Sequence, residues 1–168
     1  MSKPLMKATF KLDDAKKIAD KFAQLGEMSQ RSVQRAARKG ATFTQRRAKA
    51  EAPVDLGNLK KGIRIYGERT TKKGKKVYMV VFARSMNHIF QKFNAEARAK
   101  LLAGQKANPS AYYPASQEFG WRAVNGRKIP GKFFMKRAVA DNRERTSQIM
   151  YDELDRQLVI LIKKKFNR

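Results

Sequence analysis

The sequence predicts an α+β fold, a small antiparallel sheet packed with helices and followed by a long C-terminal helix. Three patterns carry that expectation. Residues 29–52 place small apolar residues at helical spacing and run into a proline. Residues 62–83 hold two apolar runs on either side of a polar, basic connection. From about Phe134 onward, apolar residues recur every three or four positions. Helical and strand periodicity in alternation along one chain points to helices laid on a small sheet.

In chain order, residues 13–25 predict a first helix through Ala15, Ile18, Ala19, Phe22 and Leu25, with Asp13 and Asp14 at its N-terminus and Gly26 as its stop. Residues 29–52 predict a longer one, capped by Ser29. Its apolar stripe is Val33, Ala36, Ala37, Gly40, Phe43 and Ala48. Such small residues allow a neighbouring element to approach closely, and Gly40 marks the tight crossing or a bend. Pro53 ends this helix. The hairpin over 62–83 puts Val77, Met79, Val81 and Ala83 on one face of its second strand and Tyr78, Val80 and Phe82 on the other. Apolar on both faces, that strand is expected to be central or covered on both sides.

Residues 86–103 return to helical spacing through Met86, Ile89, Phe90, Phe93, Ala97 and Leu101. The segment "AYYPASQEFGW" is read as a strand and "RAVNGRKIPG" as a loop. One uninterrupted helix then runs from about Phe134, its apolar face made by Ala138, Ile149, Met150, Leu154, Leu158, Leu161 and Ile162. Asp152 and Arg156 are placed as an i,i+4 pair on it, and Lys163, Lys164 and Lys165 lie where the helix dipole favours cations. No internal repeat or low-complexity linker interrupts the chain, and its 168 residues are read as a single domain, 1–168.

Charge is the dominant compositional feature. Thirty-nine Lys and Arg against fourteen Asp and Glu give a net charge of +25. The cations are spread evenly, 13 in residues 1–50, 12 in 51–100 and 14 in 101–168. The body itself is therefore basic, which predicts an acidic partner: nucleic acid, an anionic surface or an acidic protein face. No apolar run is long enough to span a membrane, and no secretory signal core is seen near the N-terminus. Cysteine is absent, so disulfides and thiolate metal sites are excluded, in keeping with synthesis in a reducing cytoplasm.

Catalytic chemistry is sparse. The single histidine, His88, is read as structural or superficial. With no Cys and one His the usual zinc sets cannot be assembled. The carboxylate pairs Asp13–Asp14 and Asp152–Glu153 read as helix-end and solvated-face charges. There is no Walker loop and no nucleophile elbow. An enzyme is not expected, nor a cofactor, metal or small-molecule substrate. The strongest candidates for DNA or acidic-partner contact are Arg31, Arg35, Arg38, Lys39, Arg46 and Lys49, spaced along the 29–52 helix to track phosphates.

Three short segments carry a resemblance. "APVDLGNLKKGIRI" resembles a signature of the tail-completion, or neck, family of tailed bacteriophages, through Ala52, Pro53, Val54, Asp55, Gly57, Leu59, Lys60, Lys61 and Ile63. "AYYPASQEFGW" is similar to that family's Glu-Phe-Gly segment, through Ala111, Tyr113, Glu118, Phe119 and Gly120. "IPGKFFMKRAV" is similar to its lead into a C-terminal helix, through Pro130, Phe134, Met135, Arg137 and Ala138. The three come in the family's order and frame residues 29–165. Leu56 and Trp121 stand where the family pattern has Thr, and residues 86–107 resemble a helical insertion into it.

The resemblance implies a structural subunit of the virion, made in the host cytoplasm and located in the tail neck. It implies a ring, commonly six-fold, that completes the tail tube and docks it to the head connector. The implied partners are further copies of the chain, the neighbouring tail-tube and head-connector proteins, and DNA in the lumen. The implied interface residues are Asp55, Leu56, Gly57, Asn58, Leu59, Tyr113, Glu118, Phe119 and Gly120. The alternative is a basic protein that binds nucleic acid without sequence preference.

Overall fold

The structure, a computed structural model, describes residues 30–54, 57–69, 75–123 and 125–166. The helix expected over 13–25 lies outside them. The fold is α+β. Helix α1 (Gln30–Glu51) is followed by a short helix α2 (Asn58–Gly62) and by the hairpin β1 (Ile63–Gly67) and β2 (Tyr78–Phe82). A 3₁₀ turn (Arg84–Met86) leads to α3 (Asn87–Phe90), β3 (Gln91–Lys92) and α4 (Ala95–Leu102). Then come β4 (Ala111–Tyr112), α5 (Tyr113–Phe119), the hairpin β5 (Gly120–Arg122) and β6 (Lys128–Pro130), and helices α6 (Phe134–Ala140) and α7 (Arg143–Phe166).

The two long helices α1 and α7 pack side by side, and α6 and the β1–β2 hairpin also rest on α1. The residues α1 buries are Ser32, Ala36, Gly40, Ala41, Thr44 and Ala48. This stripe differs from the one predicted, because Ser32 and Thr44 are buried where Val33, Ala37 and Phe43 are only half-buried. Thr44 can enter the interface because its hydroxyl donates to the Gly40 carbonyl at 3.2 Å and so carries no unsatisfied polar group inward. Gly40 does mark a close crossing. A Cβ there would stand 2.7 Å from both Cγ and Sδ of Met150 on α7.

The main core joins Ala48 and Ala52 with Leu59, Ile63, Val80, Phe90, Phe134, Met135 and Ala138. At its centre the Phe90 ring stands edge-on to Phe82 at 5.7 Å and to Tyr112 at 6.0 Å, and Phe82 stands edge-on to Phe134 at 6.3 Å. Fully burying a side chain of this size contributes about 2–3 kcal/mol. Burial also pushes the Tyr112 phenol up from its ordinary pKa. Gly62 lies directly beneath the Phe90 ring, its missing Cβ only 2.5 Å from Cζ. A second, smaller cluster joins Ala36 to Leu154, Leu158 and Leu161 between α1 and α7.

Several expectations are corrected. The second strand of the hairpin is not central. β2 pairs with β1 alone among the described residues, in the register Ile63↔Phe82 and Ile65↔Val80. Its two apolar faces are explained by Val80 and Phe82 joining the core while Met79 and Val81 remain half-buried opposite. The helix expected over 86–103 is broken after Phe90 by β3, and α4 restarts where the Asn94 side chain accepts from Ala97 N at 2.9 Å. "AYYPASQEFGW" is mostly helix, because Pro114 sits in the first turn of α5, where its missing N–H costs nothing.

The loop expected over 122–131 is the β5–β6 hairpin, turned at Gly126 (φ 80°) with Asn125 Oδ1 accepting from Arg127 N. The single C-terminal helix is two, parted at Asp141–Asn142, where the Asn142 amide donates to the Ala138 carbonyl at 3.3 Å and competes with the helical ladder.

Candidate interaction surfaces

Three surfaces collect the residues singled out in the sequence. The first is the corner after α1. Ala52 N donates to Ala48 O at 3.0 Å, completing the last helical turn before Pro53. Val54 is 72% exposed. Asp55 and Leu56 lie outside the described residues. Gly57 takes a left-handed conformation (φ 72°) that a side chain would strain, and its carbonyl accepts from Lys61 N at 3.1 Å. Leu59 points inward and is buried in the core, while Asn58 is half-buried and Lys61 exposed. An ion pair of 3.4 Å between Glu51 Oε2 and Arg137 Nε ties this corner to α6. Leu59 therefore anchors the corner and Val54 is what it presents.

The second surface is an aromatic corner built from α5, β5–β6 and the start of α6. Glu118 is almost fully buried, and its two carboxylate oxygens accept from Met135 N and Lys136 N, both at 2.9 Å. It thereby satisfies two of the amides left open at the α6 N-terminus and places negative charge where the helix dipole favours it. The backbone N–H groups of Lys132 and Phe133 donate to Gln117 O and Glu118 O at the C-terminal end of α5. Gly120 (φ 87°) and Gly131 lie so close that no side chain fits at either. A Cβ on Gly120 would run into the Ile129 carbonyl, and one on Gly131 into the Glu118 carbonyl.

Above this rigid base three aromatic rings face solvent: Phe119 at 51% exposure, Trp121 at 43% and Phe133 at 40%. Phe119 meets Phe133 edge-on at 6.4 Å, and Lys136 Nζ stands over the Phe133 ring at 5.8 Å. Phe133 holds a left-handed conformation (φ 49°) that is unfavourable for an aromatic residue. The cost, on the order of 1 kcal/mol, is offset by the bonds that Lys132 N and Phe133 N make to α5 and that Phe133 O accepts from Arg137 N. Tyr113, by contrast, is half-buried against the core. The sequence reading singled out Phe119, Glu118 and Gly120 but missed Phe133 and Gly131. The signal for Gly131 was the Asn125–Gly126 pair, a hairpin turn signature that brings it back against Gly120.

The third surface is the basic face of α1. Arg31, Arg35, Arg38, Lys39 and Arg46 are exposed and Lys49 is half-buried. Two of the six are drawn towards α7. Arg35 donates to Gln157 Oε1 at 3.0 Å, and Lys39 Nζ lies 2.5 Å from Glu153 Oε2. Glu153 is thus a buried acid with a cation on either side, because Arg156 also reaches it at 3.0 Å. Gln157 Nε2 donates to its other oxygen at 2.9 Å. The two cations hold Oε2 by charge rather than by aligned hydrogen bonds.

Burial pushes the Glu153 carboxyl up, but the contact with Lys39, the Gln157 bond and the fields of Lys39 and Arg156 outweigh it and hold the group below its usual range. The expected solvated role of Glu153 and the Asp152–Arg156 pair are both corrected. Arg156 turns to Glu153 instead, and Asp152 accepts from Gln148 at 2.7 Å. Glu153 could be recognised only once its helix face was known.

His88 is exposed on α3. Among the described residues no group of three or more His, Asp or Glu is gathered to hold a metal ion, and no helix is long and apolar enough to cross a membrane.

A family model matches residues 16–103, under the description "Bacteriophage HK97-gp10, putative tail-component". The match takes in α1, the corner after it, the β1–β2 hairpin and α4, and it ends before the aromatic corner. No match was found to a curated protein or to a solved structure.

Proposed function

The chain belongs to the HK97-gp10-like family of bacteriophage tail components, and on that premise we propose that it is the subunit of a ring at the head–tail junction. In this reading the ring completes the tail tube and docks it to the head connector, and its work is assembly rather than catalysis. The observation that carries the reading is the aromatic corner. Solvent-facing Phe119, Trp121 and Phe133 are held by a buried carboxylate and two touching glycines. Exposed aromatics on a fixed scaffold are the usual anchors of protein interfaces, because little freedom remains to be lost on binding.

The corner at Val54–Leu59 has the same build, with an inward anchor and an outward apolar residue. It is assigned here to a neighbouring neck protein. The 86–107 stretch adds a further surface, since Leu102 at the end of α4 is 90% exposed. The basic face of α1 is assigned to DNA in the lumen.

A phage with a stop codon in this reading frame tests the role. It should accumulate filled heads and finished-length tails that do not join, visible by electron microscopy, and added purified protein should join them. Normal yields of joined virions would overturn it.

A further inference from the structure

The aromatic corner carries an unusual charge. Residues 118–140 contain one carboxylate, Glu118, and it is buried beneath the surface. The exposed rings are rimmed by Arg122, Arg127, Lys128, Lys132 and Lys136, all exposed. An aromatic centre with a cationic rim has the anatomy of a protein interface. The Phe133 ring is already covered by Lys136 and abutted by Phe119, so it is poorly placed to stack on a nucleobase.

Among the described residues, the opposite charge is concentrated at the α6–α7 junction and along α7. Asp141, Glu144, Asp152 and Asp155 are all exposed within fifteen residues of chain. On α7, Glu144, Gln148, Asp152, Asp155 and Val159 follow at spacings that keep them on one face, which the exposed Arg145 and Arg156 border on one side. The opposite face, with Thr146, Met150, Leu154 and Gln157, is buried. Val159, 48% exposed, ends the acidic row with an apolar residue.

We propose that, in the ring, the aromatic corner of one copy seats on the acidic outer face of α7 of the next copy. The inference rests on the ring reading above and names the contact that builds it. Charge complementarity selects the occupant. On a chain of +25, the corner would be repelled by most of another copy's surface and attracted to this face. The two surfaces are chemically different, so the contact is head-to-tail and each copy keeps one free surface of each kind. Repeated with rotation, such a contact closes a ring.

The test is a charge exchange. Lys128→Glu with Lys132→Glu reverses the rim, and Asp152→Lys with Asp155→Lys reverses the face. All four side chains are exposed, so melting curves should match wild type. Ring-sized mass is read by light scattering on the purified protein and on material extracted from assembled tails. Each variant alone should lose ring-sized mass by ~10-fold or more. An equimolar mixture of the two should recover it, because rim and face are then complementary at every contact of an alternating, even-membered ring.

Rings that persist in either variant, or a mixture that fails to recover, would overturn the pairing while the ring reading stands. A wild-type chain that forms no ring either in solution or in tails would remove the ring reading, and this contact with it. Wild-type mass that grows only with added nucleic acid would do the same.

Discussion

Lys39 Nζ on α1 lies 2.5 Å from Glu153 Oε2 on α7, joining the two longest helices through a carboxylate that is only 3% exposed. Lys39 itself is half in water, so the pair is not a fully buried one. Replacing Glu153 by Gln leaves two cations that can turn outward. The expected loss is about 1–2 kcal/mol at neutral pH, below the 3–5 kcal/mol typical when a buried charge is left alone. The pH dependence follows from the sign of the shift. The carboxyl is held lower in the folded chain than in the unfolded one. Its contribution is complete above the unfolded value of about 4.3 and is lost as pH falls through the folded value. Urea titrations from pH 7 down to pH 3 should show the gap between wild type and Glu153→Gln narrowing with acid. A constant gap would mean the carboxyl does not titrate with folding.

Gly40 is required by the α1–α7 crossing rather than by backbone conformation. Gly40→Ala adds a methyl against Met150, a flexible side chain that can yield, and gains up to about 1 kcal/mol of helix propensity. The two effects offset, and the variant should stay within about 1 kcal/mol of wild type. Gly40→Val adds branches that also meet Thr146, and overpacking should cost about 2–3 kcal/mol. Denaturant midpoints of the two variants measure this directly, and an unperturbed Val variant would mean that the helices cross elsewhere.

Glu118 fixes the aromatic corner through two amide bonds. Glu118→Ala leaves the buried Met135 amide and the part-buried Lys136 amide without their acceptor, at a cost of roughly 2–3 kcal/mol, while Glu118→Gln retains one acceptor and should lose about half as much. Trp121 is the chain's one tryptophan and sits on this corner, which makes its emission a local reporter. In the Ala variant its anisotropy should fall at temperatures below the global melting transition. Anisotropy that changes only with global melting would show that the corner is held without Glu118.

The helix ended by Pro53, the hairpin after it and the apolar face of the last helix were legible in the sequence because each is a run of periodic residues long enough to outweigh local exceptions. The shorter elements were not. Pro114 opens a helix although it reads as a breaker, since position within the first turn decides its effect. Asn94 divides a continuous helical pattern by capping, which only competes with propagation in the folded context. In the candidate surfaces, the exposed partner Phe119 was visible through its motif, but Phe133 depends on a backbone conformation that no sequence period encodes. Glu153 looked like one of two solvated neighbours. Helix phase separates them, turning Asp152 outward and Glu153 onto Lys39.

That placement also decides how DNA contact should be tested. Arg35 and Lys39 are engaged with α7, so reversing them would disturb the helix pair as well as any phosphate contact. Arg31, Arg38 and Arg46 are exposed on the same helix and can be reversed without breaking that network. If α1 lines a lumen that carries DNA, the triple Arg→Glu variant should bind duplex DNA more weakly for every sequence. Its plot of log affinity against log salt should be shallower by about 3, close to one counterion per lost phosphate contact. Fluorescence anisotropy with a labelled duplex of arbitrary sequence, at several salt concentrations, gives both quantities. A slope identical to wild type would move the DNA contact off this face and leave the basic helix to an acidic protein neighbour.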